Sequence, residues 1–141
     1  MSTLSAAINA SASALNAERT RVEVAVSNLA NAESTRGPDG QPYRRRDVML
    51  TAEGQDFAST LGDAQAIGVK VAGIVQDQAP FRMRYEPSHP DADENGFVAL
   101  PNVDAPQEMV DMLGAARAYQ ANLAAIGLIR EMVAKALELG R

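Results

Sequence analysis

The residues best placed to do chemistry sit in one stretch, Asp91-Ala92-Asp93-Glu94-Asn95-Gly96. Side-chain oxygens there occupy alternate positions and a glycine comes sixth, the opening of a loop that wraps calcium. Such a loop needs a bidentate carboxylate at its twelfth position, where this chain has Asn102, and Pro87, Pro90 and Pro101 exclude the flanking helices. The stretch therefore reads as a solvated acidic turn. His89, the single histidine, titrates in the right range for acid–base work, but no second motif supplies a nucleophile or further ligands. Phosphate-cradling glycine motifs are absent from the sequence. No catalytic residue, cofactor site or metal site is expected, and the chain is not read as an enzyme. Arg44-Arg45-Arg46 is the one basic run, read either as a patch for acidic neighbours or as a strand edge protected by charge.

Composition narrows the classes further. The 141 residues are 46% hydrophobic but only 4% aromatic, with no Trp, which is little aromatic mass for a large enzyme-like core. A net charge of -5 and a pI near 4.8 argue against a nucleic-acid surface. Without cysteine there is no disulfide framework and no thiolate site. No run reaches the ~20 apolar residues of a membrane helix, and Met1 to Ala17 carries no side-chain charge and no continuous apolar segment, so no cleavable export signal is expected there.

Two long helices must position everything else. From Ala105 the residues Met109, Met112, Ala116, Tyr119, Leu123, Ile126, Arg130, Val133 and Leu137 alternate in steps of three and four, the spacing of a helix packed lengthwise on another. About 35 residues at 1.5 Å each make a rod of roughly 52 Å. At the head, Ile8, Leu15, Val22 and Leu29 recur every seventh residue, with Leu4, Ala12 and Val26 assigned to the same side. Val110, Leu113, Leu128, Ile129, Met132 and Leu139 fall off the tail's seam, so other chains are expected to cover them.

Between the helices the period changes to two. Gly37-Pro38-Asp39-Gly40 predicts a tight reversal, short strands are expected at Val48–Leu50, Ile67–Val75 and Phe81–Tyr85, and Gly96–Pro101 reads as a last short strand or an extended arm. Phe81-Arg82-Met83-Arg84-Tyr85 alternates apolar and basic residues, which predicts an apolar face turned inward. The fold class is α+β: terminal helices paired like a coiled coil, with a small antiparallel β region inserted. The boundaries are 1–32 for the head helix, 33–104 for the loop and β region and 105–141 for the tail helix.

Ser27-Asn28-Leu29-Ala30-Asn31-Ala32 resembles the head signature of bacterial flagellar rod and hook axial proteins. The stretch from Ser34 to Arg45, Pro80-Phe81-Arg82, YEPSHPDAD at Tyr85 to Asp93, Glu108 to Met112, Arg117 to Asn122 and the closing KALELGR together resemble the proximal rod proteins of the FlgC type. Thr51 to Ala66 matches nothing in that pattern. The resemblance implies a structural subunit of the flagellar basal body, exported through the flagellar type III apparatus and assembled into the periplasmic rod. It implies as partners further copies of the chain, the FlgB- and FlgF-type proximal rod proteins, the FlgG-type distal rod protein and the FliE adaptor. The expected assembly contacts are then Ile8, Leu15, Val22, Asn28, Leu29 and Asn31 at the head. At the tail they are Met109, Met112, Tyr119, Leu123 and Ile126, followed by Leu128, Ile129, Val133 and Leu137. Another axial subunit, or a secreted helical interaction protein, is the alternative.

Overall fold

The computed structural model describes residues 3–53 and 67–139; most of the segment Thr51 to Ala66, for which the sequence supports no conformation, lies outside them. Helix α1 spans Thr3–Ala30 and helix α2 spans Ala105–Leu139. Between them come β1 (Arg46–Ala52), β2 (Val69–Gln76), β3 (Arg82–Tyr85) and β4 (Phe97–Leu100), paired as two separate two-stranded sheets, β1 with β2 and β3 with β4. The α+β reading, with a long helix at each end and a small antiparallel β region between them, agrees with the sequence.

Local chemistry explains the helix ends. At the end of α1 the Asn31 amide is shared between the carbonyls of Ser27 and Asn28, and the Asn31 side chain donates back to Ser27 O at 2.8 Å. Helix α2 begins after Asp104, whose carbonyl accepts the Glu108 amide, with Pro106 in the first turn where it lacks no required donor. The Gly37–Gln41 reversal closes with Gly40 N–H on Gly37 O and Gly37 N–H on Gln41 O, Gly40 taking φ 78°.

The chain forms two compact units, each holding part of both helices. One comprises residues 1–20, 49–73 and 114–141, and its best-buried described residues are Ala17 and Ala115. Here Ser13 Oγ accepts the Val69 amide at 2.9 Å while donating to Ala10 O, so a mid-helix serine fixes the start of β2. A Cβ on Gly68 would meet that hydroxyl at 2.9 Å, so glycine permits the approach.

The other unit comprises residues 21–48 and 74–113, and its core is Val24, Ala25, Ala32, Val98, Leu100 and Val103. In the β3–β4 hairpin Arg82 faces Leu100 and Tyr85 faces Phe97. The inward apolar face expected of this strand is not found, since all four residues of β3 are exposed. Met83 and Tyr85 are exposed, whereas Arg82 donates to Pro101 O and Ala32 O, and Arg84 pairs with Glu33 at 3.0 Å. The arginines' N–H forks found the Pro101 carbonyl and, just beyond α1, the Ala32 carbonyl and the surface carboxylate of Glu33, which ties the basic face to the chain without burying it.

A second correction concerns the phase of the helical seams. From Glu108 on, the sheltered positions of α2 are Glu108, Asp111, Met112, Ala115, Ala116, Ala118, Asn122, Ala125, Ile126, Ile129 and Val133, a stripe that shares Met112, Ala116, Ile126 and Val133 with the expected row and departs from it elsewhere. Met109, Tyr119, Leu123 and Leu137, assigned to that row, are exposed. On α1 the heptad row Ile8, Leu15, Val22 and Leu29 is half-buried, Leu4, Ala12 and Val26 are exposed, and full burial falls on Ala17, Val24, Ala25 and Asn28. The true stripes contain small and polar residues whose low hydropathy hid them.

Candidate assembly surface

The most constrained site is a buried polar junction in the second unit. Asn28 is 1% and Glu108 2% exposed. The Asn28 amide has its full complement: Nδ2 donates to Arg46 O at 2.8 Å and to Glu108 Oε2 at 2.9 Å, and Oδ1 accepts from Arg46 N and the Tyr43 hydroxyl, both at 2.9 Å. By bonding both backbone groups of Arg46, the Asn28 side chain acts as the neighbouring strand that this residue of β1 lacks on that edge.

Glu108 receives Arg45 on its other oxygen, Nε to Oε1 at 2.6 Å, with Asp47 and Asp111 each 3.6 Å from the same guanidinium. Burial alone would lower the Arg45 pKa, but the Glu108 hydrogen bond and the three carboxylate charges outweigh it and raise the value, so the charge persists at every accessible pH. Asn102 completes the junction: Oδ1 accepts the Arg45 amide at 2.9 Å, and Nδ2 donates to the carbonyls of Asp77 and Ala79. The basic run thus divides. Arg45 is an internal partner, while Arg44 and Arg46 lie over the rings of Phe81 and Tyr43. The sequence reading did not find Arg45, Glu108 or Asn102. A glutamate in the first turn of α2, in phase with its sheltered stripe, was the available signal.

The candidate chemistry at 91–96 resolves into turn bonds. Asp93 Oδ1 accepts the amides of Asn95 and Phe97, Asp91 Oδ2 accepts the Thr35 hydroxyl at 2.8 Å, and His89 Nδ1 accepts the Asp91 amide. Among the described residues no group of His, Asp and Glu is arranged to hold a metal, and no described helix is long and apolar enough to cross a membrane.

The expected assembly residues fall into three environments. Asn28 is internal to the chain; Ile8, Leu15, Val22, Leu29, Asn31, Met112, Ile126, Ile129 and Val133 are half-buried; Met109, Tyr119, Leu123, Leu128 and Leu137 are exposed. Beyond Ala118 the large exposed apolar residues of α2 form two flanks, one on each side of the sheltered stripe, whereas Met109 and Leu113 near its start lie between them. Ala121, Leu128, Met132 and Leu139 share one flank, and Tyr119, Leu123 and Leu137 share the other, separated by a polar crest at Gln120, Glu131 and Glu138. Leu128 is 62%, Met132 61% and Leu137 70% exposed. Among the described residues these apolar side chains are left largely uncovered.

A family model described as flagella basal body rod protein matches residues 8–38, and one described as flagellar basal body rod FlgEFG protein C-terminal matches residues 94–139. The flagellar basal-body rod protein FlgC of Salmonella typhimurium is 46% identical, the alignment covering 92% of each chain. The FlgC of Bacillus subtilis is 42% identical over 95% of this chain and 96% of its own, and that of Aquifex aeolicus 39% identical over 94% and 93%. With relatives matched over almost its whole length, and rod-family models matched to the segments that hold Asn28, Asn102, Glu108 and all of α2, the chain belongs to the FlgC family of flagellar basal-body rod proteins and is a structural subunit of that rod.

Proposed function

We propose that this subunit transmits torque along the rod through side-by-side packing of its helices with those of neighbouring subunits. The observation that carries the reading is the pair of apolar flanks on α2, which lie on opposite sides of the stripe the chain covers itself. A helix apolar on one flank suits a dimer; one apolar on both suits a position between two neighbours in a continuing array. Residues 1–32 and 105–141 would form the inner, coaxial layer and residues 33–104 the outward part. The neighbours would be further copies, FlgB- and FlgF-type proximal rod proteins, the FlgG-type distal rod protein and the FliE adaptor, after export through the flagellar type III apparatus. The function is structural and requires no catalysis. Its test is the yield of rods in basal bodies isolated from cells carrying Leu123→Asp or Leu128→Asp, with export of the subunit followed in parallel. The expected result is exported subunit without rod; normal rods from both variants would refute the assignment.

A further inference from the structure

Between the Gly37–Gln41 turn and the start of β1 lies a groove of about 550 Å³, lined by Tyr43, Arg44, Arg46 and Gln76, with Asp39 and the Asp91-paired Arg36 also in its wall. The chain from Pro42 into β1 is extended, so side chains alternate in direction: Arg45 turns inward to Glu108, and Arg44 and Arg46 both reach the groove. Each of the two guanidiniums lies over an aromatic ring, 4.3 Å from the centroid of Phe81 for Arg44 and 5.5 Å from that of Tyr43 for Arg46. Stacking covers one face of the group, holds a long side chain still and leaves the N–H edge available. Arg44 directs Nη1 at the carbonyls of Asp77 and Ala79, at 3.5 and 3.3 Å. Among the described residues neither arginine is paired with a carboxylate, in a chain whose net charge is -5.

We propose that this groove receives an extended acidic segment of a neighbouring, non-identical protein chain, with carboxylates two residues apart forking onto Arg44 and Arg46. The spacing follows from the geometry of both partners, since residues i and i+2 of an extended chain share one face about 6.6 Å apart. A planar guanidinium binds a carboxylate through two parallel N–H bonds, which gives direction as well as attraction. A second copy of this chain does not suit the groove. Its one acidic pair at that spacing, Asp91 and Asp93, is held in a turn with oxygens already bound to Thr35, Arg36 and the amides of Asn95 and Phe97. That the donor is a rod neighbour rests on the function proposed above; the chemistry of the groove does not, and its test involves no rod.

The test is fluorescence anisotropy of the full chain with dye-labelled Glu-Ser-Glu-Ser-Glu-Ser and its glutamine counterpart. The glutamate peptide should bind at low ionic strength, weaken with added salt, and far exceed the glutamine peptide. Arg44→Gln and Arg46→Gln should each reduce affinity about tenfold, and Arg46→Lys should fail to restore it, because an ammonium lacks the planar fork. Circular dichroism should show the same helix content in every variant. No binding at millimolar peptide would overturn the proposal, as would equal affinity in the wild type and both Gln variants. Sedimentation showing salt-sensitive self-association that Arg46→Gln abolishes would assign the groove to a second copy and overturn it as well.

Discussion

At the scale of single residues, the chain depends most on an asparagine that has no unused valence. Asn28→Ala would leave the amide and carbonyl of Arg46, the Tyr43 hydroxyl and one Glu108 oxygen each short of a partner in a buried setting. The expected loss in urea unfolding is about 3 kcal/mol. Asn28→Asp should cost at least as much, since it keeps the two acceptors but sets a carboxylate against Glu108. Adding Glu108→Gln to Asn28→Asp returns a donor to that contact and should recover part of the loss; a strictly additive pair would show that the Asn28–Glu108 bond contributes nothing. Little of this was visible in the sequence. Asn28 stood out through a family signature and was assigned to contacts between chains, whereas its hydrogen bonds lie within this one. A side-chain amide that replaces a strand leaves no periodic trace, because one residue suffices.

At the scale of elements, the helices and strands were legible because their boundaries rest on local chemistry. Asp104 and Pro106 start α2, the Asn31 region stops α1, and Gly40 and Gly96 hold the left-handed turns. Gly96 has φ 81°, and a Cβ there would come within 3.0 Å of both Pro87 Cβ and Tyr85 Cε2. Gly96→Ala should therefore destabilise the β3–β4 hairpin by at least about 1–2 kcal/mol. Faster protease cleavage within residues 86–96 would report it, and unchanged cleavage would contradict the strain. What was not legible is which way each element faces. Met83 and Tyr85 look like an inward face by hydropathy, yet they are exposed, and it is Arg82 and Arg84 that bond to the rest of the chain, at the carbonyls of Ala32 and Pro101 and, at the surface, Glu33. The seam of α2 was misphased for a similar reason. Asn122 occupies the sheltered stripe by donating to its own helix at Ala118 O, 2.9 Å away, so shelter and hydropathy part company there.

At the scale of the whole molecule, the apolar residues that the chain does not cover are as informative as its core. In Leu128→Asp the side chain lies in solvent when the chain is alone, so its unfolding free energy should stay within about 0.5 kcal/mol of the wild type. Rod assembly should nevertheless fail, because in the array the same carboxylate would be buried without a partner. A variant with unchanged stability and no assembly separates a contact surface from a core, which loss of motility alone does not. The general expectation of uncovered tail residues was available from the sequence, since more large apolar residues lie on α2 than one seam can hold. Their division into two flanks required the true phase of the sheltered stripe.

The most direct measurement is hydroxyl-radical footprinting of side chains, comparing the free subunit with the same subunit in isolated basal bodies. Met132, Leu128, Tyr119 and Leu123 should be readily oxidised in the free chain and strongly protected in the rod, while Val98 and Val103, already buried, should be unreactive in both states. Equal oxidation of Met132 and Leu123 in the two states would contradict the claim that neighbouring subunits cover both flanks of α2.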